Sequence, residues 1–192
     1  MALLVSSGVV TAANMQSIDV VKKSGYFTVV SNSIVKAPID RVYEVLTDFD
    51  KLYRISSGFQ DSHYLSRDAD GNGVVYSKMR GCVAFICRKM ERTENITVKP
   101  NWLIVAEAIP EKSDVHYAHS EWRLKSINQN TMVDFSFTFK PKFWVPPLIG
   151  TWAIKRSLKE DGEEAIQRIE KIAINPDVIL DTDIKHAKRK SS

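Results

Sequence analysis

The stretch that looks most like a metal site runs from Asp68 to Gly73. Asp68, Asp70 and Asn72 match the first oxygen ligands of a calcium loop, and Gly73 stands where that loop bends. The last ligand of such a loop is a bidentate Glu, but the matching position holds Met79, and the flanking residues predict strands rather than helices. We therefore predict a hairpin turn here and not a calcium site.

His116 and His119, with Glu121 close by, are the residues that acid–base or metal chemistry would use. On a strand, residues three apart point to opposite faces, so the two imidazoles cannot share one ion. The sequence also lacks a Walker loop, a dinucleotide fingerprint and a serine nucleophile elbow. We predict no catalytic residue, no metal ligand and no cofactor, and we place both histidines at the surface or at a pocket rim.

Cys82 and Cys87 are the two cysteines of the chain. They would bridge the arms of a tight hairpin in an exported protein, or stay reduced as small apolar side chains in a cytosolic one. Residues 1–13 are small and apolar and end as a signal peptide does, but they lack its positively charged start. The protein is therefore expected to be exported or periplasmic if this segment is a signal remnant, and cytoplasmic otherwise.

Composition and charge limit the fold and the partners. With 192 residues, of which 44% are hydrophobic, the chain can bury one substantial core. The net charge is +4, but four basic side chains stand between Lys185 and Lys190, so the rest of the chain is close to neutral. We therefore expect one folded domain and no nucleic-acid partner.

The first two thirds of the chain predict a helical pair followed by a run of strands. Tyr26–Val35 is rich in β-branched and aromatic residues and predicts a strand, and Ala37-Pro38 begins an amphipathic helix, with a short helical turn around Leu52. Turn-forming residues then separate six strands that should pair as consecutive antiparallel hairpins. These strands are Gln60–Ser66, Val74–Gly81, Phe85–Val98, Trp102–Ile109, Val115–Leu124 and Thr131–Phe139.

The last predicted element is a long amphipathic helix from Leu148 to Ile174. Pro147 suits its first turn and Pro176 ends it. Gly162 costs helix stability and lies on the apolar face, so either the sheet or a ligand approaches closely there or the helix simply tolerates the glycine. A curved sheet closed by one such helix forms a cradle, and cradles hold ligands.

Side-chain alternation along the strands assigns one face of the sheet to the interior. Small residues share this face with large aromatic ones, so unfilled volume is expected beside them. The residues predicted to line an apolar ligand cavity, including one from the last helix, are Trp102, Ile104, Ala106, Ala118, Ser120, Trp122, Phe135, Phe137 and Trp152.

Two apolar stretches, 83–86 and 143–149, are unusual surfaces, since the first occupies a hairpin tip, where polar turn residues are normal. Either they cover the end of the core or they form the mouth of a pocket. In the second case Phe85, Trp144 and Leu148 would make transient contact with a membrane.

Residues 33–52 (Ser-Ile-Val-Lys-Ala-Pro-Ile-Asp-Arg-Val-Tyr-Glu-Val-Leu-Thr-Asp-Phe-Asp-Lys-Leu) resemble the opening of the START-like helix-grip superfamily, and residues 146–156 are similar to its gripping helix. That superfamily includes polyketide cyclases and aromatases, coenzyme Q-binding proteins and plant pollen-allergen-type lipid carriers. The resemblance implies an α+β helix-grip fold, β-α-α-β6-α, in which a curved antiparallel sheet wraps around a long C-terminal helix. It implies a hydrophobic tunnel between them and transfers no catalytic residue.

The domain assignment and the function follow from this resemblance and from the residues. We expect a flexible N-terminal segment or signal remnant (1–25), a START-like ligand-binding domain (26–174) and a basic C-terminal tail (175–192). The first function hypothesis is binding or transport of a hydrophobic small molecule, such as a lipid, an isoprenoid quinone or a polyketide-like compound, in an internal cavity.

Two alternatives belong to other functional classes. A cyclase or aromatase-type enzyme needs acid–base groups on inward positions, where Ser120 is nearly the only polar residue assigned. A protein-interaction module of the ribosome-associating START-like type needs an exposed basic patch, whereas the basic residues here concentrate in the tail. Ligand identity and oligomeric state stay open.

Overall fold

A computed structural model describes residues 14–83, 86–143 and 151–191. Within these residues, eight strands form one antiparallel sheet that is accompanied by four α-helices. The strands are β1 (Asn14–Lys23), β2 (Tyr26–Val35), β3 (Phe59–Arg67), β4 (Gly73–Val83), β5 (Ile86–Lys99), β6 (Leu103–Ala108), β7 (Val115–Ile127) and β8 (Asn130–Pro141). The helices are α1 (Ile39–Thr47), α2 (Leu52–Ile55), α3 (Thr151–Ile174) and α4 (Asp181–Lys190).

The strand order in the sheet is β1-β2-β8-β7-β6-β5-β4-β3. From β3 to β8 each strand pairs with the next one along the chain, and β8 then pairs with β2. The helices α1 and α2 carry the chain from β2 to β3 at the far end of the sheet. Helix α3 packs against β1, β2 and β4 and against α1. This α+β helix-grip architecture confirms the fold class expected from the sequence.

Alternation places the core on the concave face. Along β2 every second residue from Phe27 to Val35 is buried, and the neighbouring strand contributes Val133. Helix α1 buries Val42, and α3 buries Ile169, so both helices cover the same face. The six predicted strands after α2 differ from β3–β8 by at most three residues at either end.

The stretch with a calcium-loop pattern forms the turn between β3 and β4. The Asp68 carboxylate accepts hydrogen bonds from the backbone N–H groups of Asp70 and Asn72, each 2.9 Å long. The Asn72 amide Nδ2 also donates to it, and Asn72 Oδ1 accepts from Val98 N–H. The oxygens that would bind a cation therefore organise the hairpin, and these hydrogen bonds hold the pKa of Asp68 below its usual value.

The N-terminal region differs from the expectation of a flexible segment over 1–25. Residues 14–23 form edge strand β1, which pairs with β2 through a two-residue turn at Ser24 and Gly25, both with positive φ. Ser-Gly is a turn-forming dipeptide, so this hairpin had a sequence signal. Ile18 and Val20 of β1 pack with Phe27 and Val29 in a hydrophobic cluster that is separate from the main core and is called the second core cluster here.

Residues 175–192 were expected to form a basic C-terminal tail, and the structure shows helix α4 within them. Helix α4 packs on α2: Arg54 Nε donates to Asp183 Oδ1 (3.1 Å), and the Tyr53 ring stacks on His186 with centroids 3.8 Å apart. Helix α4 also explains the burial of Arg168, a charged residue of α3. Its guanidinium donates to the Asp181 carboxylate of α4.

Candidate ligand-binding cavity

A cavity of about 290 Å³ lies between the concave face of the sheet and helices α1, α2 and α3. This volume is at the lower end of the roughly 300–1,000 Å³ that small-molecule pockets occupy. The residues that were predicted to line a cavity and that do line this one are Ile104, Ala106, Ser120, Trp122, Phe135 and Phe137. Their role in ligand binding stays a prediction.

Strand register explains why volume remains at this place. Trp122 lies opposite Phe135 in the β7–β8 pair, and the two ring centroids are 4.1 Å apart. Two positions along, Ser120 lies between Ala106 of β6 and Phe137 of β8. An alanine and a serine thus sit side by side next to an aromatic wall, and they do not fill the space in front of it.

Two of the predicted lining residues, Trp102 and Ala118, are not among the described residues that line the cavity. Trp102 is 48% exposed and lies in the turn before β6, next to the left-handed residue Asn101. Ala118 is buried, but it lies opposite Phe139, whose ring stacks on Phe27 in the second core cluster. Trp152 lies in the first turn of α3.

The side chain of Trp152 is outside the part of the chain that the structure describes. The predicted membrane-contact residues Phe85, Trp144 and Leu148 lie outside it as well.

Strand β1 and helix α3 close the cavity at the β1 edge. Met15 and Ile18 of β1 line it, as do Leu158 and Gly162 of α3. A Cβ atom on Gly162 would come within 2.6 Å of Met15 Cε. The close approach expected at Gly162 is therefore confirmed, and the approaching group is Met15 of β1, a strand that was not predicted from the sequence.

An ion pair on β5 is the main polar feature of the cavity. The predictions from the sequence did not identify it. Arg92 and Glu94 both line the cavity, their side chains are 9% and 7% exposed, and Nη2 lies 3.4 Å from Oε2. The guanidinium carbon of Arg92 lies 5.3 Å from the centroid of the Phe137 ring. Arg92 and Glu94 share the inward phase of Ile96 and Val98, so extending the alternation along β5 would have found them.

A carboxyl group at the cavity has a perturbed pKa. Asp161 of α3 lines the cavity while much of its surface is exposed, which places it at the opening. Burial of its carboxyl raises its pKa above the usual value, and the negative charges of Glu164 and Glu160 raise it further. The protonated, uncharged form of Asp161 is thus more accessible than that of an ordinary surface carboxyl.

The β4–β5 hairpin reaches the start of α3. Cys82 and Cys87 lie opposite each other in register and form a disulfide, with Cα atoms 4.0 Å apart. The Ser157 hydroxyl of α3 donates to the Cys82 carbonyl oxygen over 3.1 Å. The crosslinked hairpin end and α3 are therefore joined beside Leu158, which lines the cavity.

The described residues contain neither a membrane-spanning helix nor a cluster of metal-binding side chains. Over 14–83, 86–143 and 151–191, no helix is long and apolar enough to cross a membrane. In the same ranges, no three His, Cys, Asp or Glu side chains gather in a way that would hold a metal ion.

The chain is similar to known proteins in sequence pattern and in fold. A family described as polyketide cyclase / dehydrase and lipid transport matches residues 35–161. No curated protein matches the sequence.

Solved structures with the same fold include an aromatase/cyclase from a Streptomyces species, with a TM-score of 0.60 and 16% identity over 78% of this chain and 94% of that one. A START superfamily protein from Mycobacterium smegmatis has a TM-score of 0.61 and 13% identity over 76% and 98%. A STAR-related lipid transfer protein from Xanthomonas axonopodis has a TM-score of 0.56 and 15% identity over 82% and 99%. At these identities the likeness concerns the fold alone.

Proposed function

Because the chain belongs to the polyketide cyclase / dehydrase and lipid transport family, we propose that it binds a hydrophobic small molecule in the cavity between the sheet and α3. The observation that carries this proposal is a cavity of about 290 Å³ with walls that are mostly apolar. Apolar surface removed from water stabilises a complex by roughly 25 cal/mol per Å², without demanding a particular ligand shape. The proposed binding unit spans residues 26–174 together with β1, since Met15 and Ile18 line the cavity.

Binding of a neutral fluorescent probe tests the proposal directly. N-phenyl-naphthylamine brightens in apolar surroundings, and titration into the purified protein should show saturable binding with a Kd of about 1 μM, roughly −8 kcal/mol. Native mass spectrometry of gently purified protein should show a co-purified small molecule that the probe displaces. A protein that is folded by circular dichroism but neither brightens the probe nor carries a small molecule would contradict the proposal.

A second candidate is an enzyme of the cyclase or aromatase type. It is favoured by one observation, the presence of Arg92, Glu94 and Asp161 among the cavity residues, because acid–base work needs titratable groups beside the bound substrate. The raised pKa of Asp161 suits a proton donor. Incubation with a bound poly-β-ketone analogue distinguishes the two: an enzyme releases a ring-closed product at a rate that falls in Asp161→Asn, whereas a carrier returns the ligand unchanged.

A further inference from the structure

The disulfide of the β4–β5 hairpin lies where thiols from the solvent can reach it. It belongs to residues 80–82 and 87–89, called the outer hairpin end here, which are all exposed. A Cβ atom on Gly81 would meet no described atom within 4 Å. Exposed disulfides are more readily reduced than buried ones, and they include the labile and regulatory ones. The position of this crosslink therefore favours thiol–disulfide exchange.

The pairing of β4 with β5 does not depend on this crosslink. The two strands pair without a register shift from Gly73 and Ile96 to Val83 and Ile86, and the two cysteines are 5 positions apart. A disulfide stabilises a protein mainly by closing a loop of the unfolded chain, and the effect is smaller for a short loop such as this one. The crosslink therefore acts mainly on the outer hairpin end itself.

Hydrogen bonds tie the outer hairpin end to the body of the protein. Arg80 N–H donates to the Gly58 carbonyl oxygen over 2.8 Å. Further out, the Cys82 carbonyl oxygen accepts from the Ser157 hydroxyl of α3 over 3.1 Å. The next residue of α3, Leu158, lines the cavity. The second hydrogen bond thus joins one cysteine of the disulfide to the helix that closes the cavity.

Resting on the binding function proposed above, we propose that the Cys82–Cys87 disulfide is a reversible redox switch that sets how fast a ligand enters and leaves the cavity. In the oxidised protein, the crosslink holds the Cys82 carbonyl oxygen in place for Ser157, and α3 stays against the hairpin beside Leu158. In the reduced protein, two separate thiols let the outer hairpin end fray, so Ser157 loses its acceptor and α3 moves more freely. A segment with few buried apolar contacts opens at low cost, so this end can respond while the sheet stays folded.

A dithiol reductant supplies the electrons for the switch. A thiolate of the reductant attacks one sulfur of the disulfide, the S–S bond breaks, and the other cysteine leaves as a thiolate that takes up a proton. The second thiol of the reductant, once deprotonated, displaces the remaining cysteine from the mixed disulfide, and the reductant leaves as its own disulfide. Two electrons and two protons thus pass to Cys82 and Cys87, and a disulfide compound such as oxidised glutathione reverses the reaction.

The release rate of a bound probe tests the switch. Protein loaded with N-phenyl-naphthylamine is mixed in a stopped-flow instrument with excess cyclodextrin, which traps the free probe. The rate is measured for oxidised protein, after reduction with dithiothreitol and after reoxidation with oxidised glutathione, and free thiols are counted by alkylation and mass spectrometry in each state. We expect release to be about fivefold faster after reduction, the factor that one lost hydrogen bond is worth, and to return to its first value after reoxidation. The equilibrium affinity should stay the same, because entry and release are both faster.

Hydrogen exchange gives a readout that needs no ligand. On reduction, a peptide covering residues 155–162 at the start of α3 should take up deuterium faster. A peptide covering residues 166–174 near the other end of the same helix should not change.

Two variants assign the response to the disulfide and to its contact with α3. Ser157→Ala keeps the crosslink but removes the hydrogen bond, so the oxidised variant should release the probe as fast as the reduced wild type. The double variant Cys82→Ser with Cys87→Ser should also release it fast and should not respond to dithiothreitol. The matched control is Ser126→Ala, which removes a hydroxyl that donates to the Asn128 carbonyl oxygen in the β7–β8 turn. It should keep the rates of the wild type and their response to reduction.

The outcomes separate this inference from the function on which it rests. If the wild type binds no probe in either redox state, both are overturned. If it binds the probe but the release rate is the same with and without free thiols, the binding function stands and the switch is wrong. A disulfide that resists dithiothreitol in the folded protein, or a reduced protein that unfolds by circular dichroism, also overturns the switch. A difference between redox states that persists in Ser157→Ala overturns the route through this serine.

Discussion

Ala106 is one of the small residues of the sheet that leave room for the cavity. It is buried, it lines the cavity, and its register neighbour on β7 is Ser120, so two small side chains stand together. A larger residue at Ala106 must project into the volume next to the ring of Phe137. The Ala–Ser pair is thus the part of the wall where one substitution can remove the binding space.

Replacing Ala106 with Phe should abolish binding of N-phenyl-naphthylamine, because the new ring occupies the cavity. The fold should survive with a loss of about 1–3 kcal/mol in the free energy of unfolding where the ring is overpacked. Probe titration and chemical denaturation measure the two effects. Val105→Phe is the control, since it adds a ring of the same size on the opposite face of β6. Equal probe affinity in folded Ala106→Phe would show that binding occurs elsewhere.

At the scale of single elements, α3 is shaped by a glycine that its own stability disfavours. Gly162 allows the helix to approach β1 so closely that Met15 occupies the space of a missing Cβ. The contacted atom is the flexible end of a methionine, which can move aside without shifting the backbone. Alanine at position 162 would thus stabilise the helix, whereas glycine allows Met15 to pack beside the cavity.

Gly162→Ala should raise the free energy of unfolding by up to about 1 kcal/mol, the helix-propensity difference between the two residues. It should also weaken probe binding, because the new Cβ atom displaces Met15 Cε, which packs between α3 and the cavity. The free energy of unfolding, measured by chemical denaturation, should therefore rise while the probe affinity, measured by titration, falls. The double change Gly162→Ala with Met15→Ala restores the space and should recover binding. A loss of stability above 1 kcal/mol in the single variant would contradict this account.

Helix α4 carries a histidine whose uncharged form is favoured in the folded protein, because its pKa is lowered. His186 stacks on Tyr53, and its Nδ1 is buried without a partner among the described residues. Burial lowers the pKa of His186 below its usual 6.5, and the positive charges of Lys190 and Arg189 lower it further, against smaller opposing effects of Asp61 and Asp183. The contribution of the stack to stability is therefore complete above pH 6.5 and is lost as the pH falls through the lowered pKa.

His186→Phe keeps an aromatic ring on Tyr53 but removes the titration. The thermal midpoint of the wild type should fall relative to that of the variant as the pH is lowered from about 8 to 5, the range in which histidine titrates. The two thermal midpoints, measured by circular dichroism at matched ionic strength, should differ least at the highest pH of this range. A difference that is constant over this range, or that is largest at high pH, would show that protonation of His186 does not weaken the docking of α4.

At the scale of the whole molecule, the cavity is closed by parts that are far apart in sequence. β1 stands at one edge of the sheet and contributes Met15 and Ile18, while β5 contributes Arg92 and Glu94 from near the other edge. The curvature of the sheet also brings Arg92 of β5 over the ring of Phe137 on β8, three strands away. Losing β1 should therefore affect the site and the core together.

Deletion of residues 1–23 should abolish probe binding and lower the free energy of unfolding by several kcal/mol, since it removes a ten-residue strand and uncovers Phe27 and Val29. Deletion of residues 1–13 is the control and keeps β1 whole. Probe titration and chemical denaturation of both variants test the expectation. Full binding by the shorter protein would mean that β1 is dispensable for the cavity.

Local patterns were sufficient to predict most of the sheet. The alternation of β8, the turn at Asn128 and the proline before α1 act within a few residues, so Tyr26–Val35 was predicted with the bounds of β2 and the inward phase of Phe135 and Phe137 was correct. The same patterns mispredicted Trp102, because phase says which face a residue points to and not how far along the strand the cavity extends.

The sequence by itself determined the order of elements from β2 to α3, the inward face of β6, β7 and β8 and the family to which the chain belongs, since these depend on short-range periodicity and on a local motif. Tertiary structure decided which inward residues border empty volume, that β1 and α4 dock, and that Arg92 and Glu94 lie in the cavity with unpaired atoms. These features depend on contacts between residues as far apart as Met15 and Gly162. The curvature of the sheet and the packing of α3 create such contacts, and no local pattern encodes them.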